Sequence, residues 1–261
     1  MKILFIGDIV GKPGRRAVQA LVPEIIERHR VEFVIANCEN AAAGFGVTRD
    51  VVEELYEYRI DVLTSGNHIW DKKEINEFIE DYESLIRPAN YPEGTPGRGS
   101  VVMTSPSGAQ VGVINLMGRV FMRPLDCPFR TAQREVERLK QRARIVIVDM
   151  HAEATSEKQA LGWFLDGKVS AVLGTHTHVQ TADDRILPEG TAYITDVGMT
   201  GSFNSVIGIR KDAILERFLT QIPNRFEVAK GDVQLQGVIL DVDEKSGISR
   251  GIERLSLKLE Y

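Results

Sequence analysis

The chain repeats one pattern: an apolar, β-branched run stops at an acid, an amide or a histidine, and a turn and a helical stretch follow. Lys2–Ile6 ends at Gly7-Asp8, Glu32–Asn37 at Cys38-Glu39-Asn40, and Asp61–Thr64 at Ser65-Gly66-Asn67-His68. Arg144–Val148 ends at Asp149-Met150-His151, and Val169–Leu173 at Gly174-Thr175-His176-Thr177-His178. Short runs of this kind bounded by turn residues read as buried strands. Their alternation with helical patterns predicts an α/β fold. Pro13 suits the first turn of a helix carrying Val18, Leu21, Val22, Ile25 and Ile26. Thr48 caps a helix through Arg59, and Asp71 with Glu74 reads as a capping box for a helix over Lys72–Asp81. Further helices are expected over Arg130–Arg142 and from Ser156, capped with Gln159, to Leu165.

Between these units the sequence predicts a hairpin, Ser100–Thr104 with Val111–Leu116, turned at Pro106-Ser107-Gly108. Thr191–Thr195 and Val206–Ile209 read as strands, and residues 225–261 as an antiparallel meander around Glu244-Lys245-Ser246-Gly247. Residues 117–129 lack periodicity and carry Arg119, Phe121, Arg123 and Phe129. A long structureless loop in a compact chain is usually functional, so this is the candidate lid.

At 261 residues and 43% hydrophobic, the chain can bury a sizeable core, and it is expected to form a single domain over 1–261. A net charge of −5 speaks against stable, charge-driven DNA binding. Cys38 and Cys127 form no disulfide framework and read as reduced thiols. No apolar stretch is long enough for a membrane span, and the first strand begins directly after Met1, so a cytoplasmic location is expected.

Open α/β sheets bind ligands beyond the carboxyl ends of their strands. Strands of one parallel sheet would bring Asp8, Glu39, Asn40, Asn67, His68, His151, His176 and His178 to a single edge. In an extended segment His176 and His178 would point the same way. Two carboxylates, three imidazoles and two amides form an oxygen and nitrogen donor set suited to Mn, Fe or Zn. Seven such donors are too many for one tetrahedral ion and suit two ions that share a bridging carboxylate. Such a pair clamps a phosphoryl group and activates water near neutral pH. Three local alternatives stand beside this. The turn Gly7–Gly14 could cradle a phosphate, although it fits neither the Walker nor the dinucleotide pattern. His68 could simply pack on Trp70 or bind a backbone carbonyl. Asp149, Glu153 and Asp196 lie beside the motifs and are expected to orient imidazoles or satisfy loop amides, or to be merely solvated loop residues, rather than bind metal.

The ordered set Gly7-Asp8, Glu39-Asn40, Gly66-Asn67-His68, His151 and Gly174-Thr175-His176-Thr177-His178 resembles the calcineurin-like metallophosphoesterases. It departs from their commonest form at Val10, where most have histidine, and at Glu39, where most have aspartate. This variant, with Ala41-Ala42-Ala43-Gly44-Phe45-Gly46, His151-Ala152-Glu153-Ala154-Thr155-Ser156-Glu157-Lys158 and Gly201-Ser202-Phe203-Asn204, is similar to the bacterial YmdB-like subfamily across essentially the whole chain. The resemblance implies a four-layer α/β/β/α sandwich and a phosphodiesterase of small phosphodiesters, 2′,3′-cyclic AMP among them. It implies Asp8, Asn40 and His178 at a first metal, Asn67, His151 and His176 at a second, and Glu39 between them. A metal-bridging hydroxide would attack phosphorus with His68 as general acid, and iron or manganese is favoured over zinc. A phosphomonoesterase or nuclease with the same metals, or a regulatory nucleotide- or RNA-binding protein, is the alternative. Self-association is left open.

Overall fold

The computed structural model describes residues 1–260. The elements follow in chain order as β1 (Lys2–Ile6), β2 (Asp8–Ile9), α1 (Gly11–His29), β3 (Phe33–Asn37), α2 (Arg49–Glu57), β4 (Val62–Thr64) and α3 (Ile75–Phe78). Next come β5 (Ser100–Thr104), β6 (Gln110–Met117), α4 (Pro128–Leu139), β7 (Ile145–His151), α5 (Thr155–Leu165) and β8 (Ala171–Thr175). The chain continues through β9 (Arg185–Ile186), β10 (Ala192–Ile194), β11 (Met199–Ser202), α6 (Lys211–Thr220), β12 (Val233–Val242) and β13 (Ser249–Lys258).

The strands form two sheets. The first runs β2-β11-β12-β1-β3-β4 with β13 also on β12, and the second runs β5-β6-β7-β8-β10-β9. In the first, β1, β3 and β4 are parallel, with Leu4 beside Val34 and Ile35 beside Val62, and β12 runs antiparallel to β1. In the second, β6, β7, β8 and β10 are parallel and the edges β5 and β9 antiparallel.

Alternation along each strand explains why the runs are apolar throughout. Ile3, Phe5, Ile35 and Val62 face Val113, Ile147, Ala171 and Leu173 in a core between the sheets. Leu4, Ile6 and Val34 point the other way, onto Val18 and Val22 of α1 and Val52 and Leu55 of α2. Val146, Val148 and Val172 likewise meet Val136 and Leu139 of α4 and Leu161 and Leu165 of α5. Side chains on both faces of each sheet are therefore buried, which a period of two alone would not reveal. The four layers are those the resemblance implied. The single parallel edge is corrected: Asp8, Glu39, Asn40, Asn67 and His68 lie at or just after strands of the first sheet, and His151 and His176 at or just after strands of the second.

Local expectations fare unevenly. Thr48 does cap α2 through the Val51 amide. The helix over Lys72–Asp81 shrinks to α3 and a 3-10 turn, because the Asp71 carboxylate is taken by His68 instead of a helix amide. No side chain caps α5. Helix α4 begins earlier, with proline in its first turn, so Phe129 is helical and packs edge-on against Phe164 at 5.6 Å. Val206 and Ile209 close a turn rather than form a strand, and the meander reduces to the hairpin β12–β13. Helix α6 was not foreseen: of its apolar face it buries Ile214 but leaves Leu215, Phe218 and Leu219 exposed.

The first glycine-rich turn has no free cradle. The Gly11 amide donates to the Asn40 carbonyl at 2.9 Å and that of Gly14 to the Val10 carbonyl at 3.1 Å. Among the described residues no helix is long and apolar enough to cross a membrane.

Gly174 holds β8 against β10: a Cβ there would lie 1.7 Å from the Thr195 carbonyl oxygen. Gly174→Ala is expected to destabilise the fold by about 1–3 kcal/mol or more, the usual cost of forcing atoms into a packed interior. Urea unfolding of the variant beside the parent measures it.

Candidate metal centre

The centre is built where strand ends of the two sheets meet. Asp149, in β7 and fully buried, binds both sides: its Oδ2 accepts from Thr64 Oγ1 at 2.5 Å and Asn37 Nδ2 at 3.2 Å, while its Oδ1 accepts from Thr175 Oγ1 at 2.7 Å. Thr175 Oγ1 lies 2.9 Å from His151 Nδ1. Since the hydroxyl proton goes to Asp149, the His151 ring donates its Nδ1–H to Thr175 and turns Nε2 to the centre. A glycine at position 66 makes room for this ring, because a Cβ there would lie 2.2 Å from His151 Cδ2.

Around His151 Nε2 stand Asn67 Oδ1 at 2.9 Å, Glu39 Oε1 at 3.0 Å and His176 Nδ1 at 3.1 Å. His176 Nε2 faces Glu153 Oε2 at 3.2 Å, so its proton sits there and Nδ1 offers a lone pair. Oxygen and nitrogen lone pairs thus converge, and one shared proton can satisfy only one of them. On the other side of Glu39, His178 donates Nδ1–H to the Ile207 carbonyl at 3.0 Å and turns Nε2 towards Asp8 Oδ1, 3.9 Å away. Asp8 Oδ1 and Asn40 Oδ1 are buried without a hydrogen-bond partner. Glu39, His151 and His176 offer atoms that all lie within 4.8 Å of one another. A buried surplus of acceptors is costly unless a cation lies among them, so these residues fit a metal.

The electrostatics agree. Burial works to lower His151, yet Glu39 outweighs it and raises the imidazole to about 9. Burial works to raise Glu39, and His151 in turn holds it at about 2. Burial, followed by the His151 charge, pushes His176 down to about 3. Asp8 is raised by burial against the pull of His178 and His151. Cys38, beside this site, is no nucleophile: burial first and Glu39 second push its thiol up.

The sequence-predicted residues Asp8, Glu39, Asn40, Asn67, His151, His176 and His178 are all brought together. His68 stands apart at the rim, its Nδ1 2.8 Å from Asp71 Oδ2 and its ring edge-on to Phe45 at 4.9 Å. It neither packs on Trp70 nor binds a carbonyl. The His-x-His geometry is corrected. His176 and His178 have φ of 97° and 63°, so they sit in left-handed backbone and face different sides of the centre. Asp196 holds this backbone by accepting from the Thr177 amide at 3.0 Å and its hydroxyl at 2.6 Å. Lys158, buried in α5, pairs with the same carboxylate oxygen at 2.9 Å. Thr175, Thr64, Asn37 and Lys158 were missed as parts of this network. Only Lys158 carried a signal, a charge on the same helix face as Leu161 and Leu165.

A model of the family described as YmdB-like protein matches residues 4–255. The chain belongs to the YmdB-like family. A relative from Bacillus subtilis (strain 168), a 2′,3′-cyclic-nucleotide 2′-phosphodiesterase, is 51% identical over 100% of this chain and 98% of its own. Two crystal structures share the fold. A protein from Thermus thermophilus is 45% identical with a TM-score of 0.92, covering 99% of each chain. A phosphatase from Mycoplasma pneumoniae is 35% identical with a TM-score of 0.92, covering 99% of this chain and 93% of that one. The fold thus recurs in both over 99% of this chain.

Thr175→Val removes the hydroxyl from both Asp149 Oδ1 and His151 Nδ1. It is expected to cost about 1–3 kcal/mol by stranding buried polar atoms, whereas Thr175→Ser retains most of the stability. Urea unfolding of the metal-free variants checks the pair.

Proposed function

We propose that the chain is a metal-dependent phosphodiesterase that hydrolyses small cyclic phosphodiesters, 2′,3′-cyclic nucleotides in particular. The observation that carries the reading is the buried surplus of acceptors around His151 Nε2 and Asp8 Oδ1. The activity of the full-length Bacillus relative supports the choice of substrate. Two ions are proposed, iron or manganese: Asn67, His151 and His176 would hold one, Asp8, Asn40 and His178 the other, and Glu39 would lie between. The grouping is supported by His178 facing Asp8 while Asn67 and His176 crowd His151. When bound, such ions supply positive charge for phosphoryl oxygens and make water nucleophilic near neutral pH.

The chain's own residues supply the rest. Asp149, through Thr175, and Glu153 fix the two imidazoles in the tautomers that present lone pairs inward. Glu39 also accepts from the His68 amide at 2.8 Å, which seats the start of the 68–71 turn against the centre. Within that turn Asp71 takes the His68 Nδ1–H and leaves Nε2–H of the imidazolium to be given away. His68 borders the cavity outside the centre and would protonate the departing ribose oxygen.

Elemental analysis of the reconstituted protein is expected to give about two transition-metal ions per chain, the number a two-metal clamp needs; less than one would overturn the proposal. Glu39→Ala is expected to lose more metal than Asn40→Ala, since it removes charge as well as a donor. A panel of cyclic nucleotides and phosphomonoesters then tests the substrate class. His68→Ala is expected to keep its metal and slow cyclic-nucleotide hydrolysis by roughly 10²–10⁴-fold, the worth of a general acid. The loss should be much smaller for a nitrophenyl phosphodiester, whose leaving anion departs without a proton. Equal losses for both would make His68 a phosphate-positioning group.

A further inference from the structure

The open cavity beside His68, of 430 Å³, is lined by Asn67, His68, Asp71 and His176 and by Phe121, Met122 and Arg123. Phe121 is 89% exposed and has φ of 62°. A large apolar ring held in water on left-handed backbone gains nothing from the rest of the chain, and such outliers gather where a ligand uses them.

The loop that carries it is tied at both feet. The Glu157 carboxylate, almost fully buried, accepts from the amides of Arg119 at 3.1 Å and Val120 at 3.3 Å. The Gly118 amide donates to the His151 carbonyl at 2.9 Å, so one foot stands on the metal centre itself. Asn90 Nδ2 joins the two feet, donating to the carbonyl of Met117 at the first, 2.8 Å away, and to that of Asp126 at the other, 3.0 Å away. Phe121 is thus the tip of a fixed support, which limits the ordering entropy a ligand must offset.

A second cavity lies over Glu39, Asn40 and His178 and also touches His68 and His176, between Phe45, Ile207 and Phe226. At 150 Å³ it falls below the ~300 Å³ at which ordinary small-molecule sites begin. The wall of Phe121 borders the larger space, and Arg123 adds a cation there for an anionic ligand.

We propose that Phe121 is the platform of a nucleobase subsite: with the phosphodiester at the metal centre, the base stacks on this ring. The inference rests on the phosphodiesterase reading and names what selects its substrate. Stacking accepts any base, since each presents a π face. Purines and pyrimidines should therefore both be taken, the larger rings more tightly.

The test compares 2′,3′-cyclic AMP with methyl ribofuranoside 2′,3′-cyclic phosphate, the same ring without a base, using the metal-loaded enzyme. In Phe121→Ala the ratio of kcat/KM for the two is expected to fall by roughly 5- to 100-fold, the worth of one base–aromatic stack. Most of the fall should lie in KM for the nucleotide. In Phe121→Trp the ratio is expected to recover, and the new tryptophan's emission, after subtraction of the parent signal, should be quenched by the nucleotide but not by the base-free ester. An unchanged ratio in Phe121→Ala, or a fall produced instead by Phe226→Ala, overturns the subsite. If the parent hydrolyses neither ester, the phosphodiesterase reading fails. The quenching of Phe121→Trp by the nucleotide then still decides whether a base stacks there.

Discussion

Asp149 is the buried charge on which the two halves of this fold depend. A carboxylate removed from water is costly, and here it is offset by donors from three strands: Asn37 of β3, Thr64 of β4 and Thr175 of β8. The first two belong to one sheet and the third to the other, so the same group that needs three donors also sets the distance between the sheets at their functional end. Burial keeps it under strain, raising its pKa to about 6 against the pull of His151. The core between the sheets is apolar and non-directional, and it cannot fix a single register of ligand atoms in the way a three-donor carboxylate does.

The centre inherits its order from that anchor. Thr175 passes the orientation from Asp149 to His151, Glu153 orients His176, and the Ile207 carbonyl orients His178. Each imidazole therefore has one nitrogen committed outward and one turned inward. Asp196 and Lys158 perform the corresponding task for backbone, keeping Thr177 in place between two left-handed histidines. Such backbone costs about 1–3 kcal/mol per residue, and the buried pair is what keeps it from relaxing.

The loop over 118–127 shows how a fixed and an exposed element are combined. Glu157 of α5 and Asn90 spend their hydrogen bonds on its two feet and leave the tip to solvent. Helix α5 thus holds the loop through Glu157 and the His-x-His turn through Lys158. Its neighbouring side chains serve both walls of the site.

Much of this was legible in the residues. The endings Asp8, Glu39-Asn40, Asn67-His68, His151 and His176-Thr177-His178 stand out because five strand ends in chain order carry residues of the same ligand chemistry. Their shared chemistry pointed to one centre, and the alternation of strand and helix to α/β layers. What the sequence by itself determined was therefore which residues meet and in which kind of fold. Only the tertiary structure decided that they meet across two sheets instead of along one, because both faces of the central strands are buried and period alone does not say against what. It also decided that Asp71 serves His68 rather than a helix end, and that His176 and His178 face opposite sides. Those outcomes depend on partners distant in sequence, such as Asp196 and Ile207, whose contacts with the turn exist only once the chain has folded.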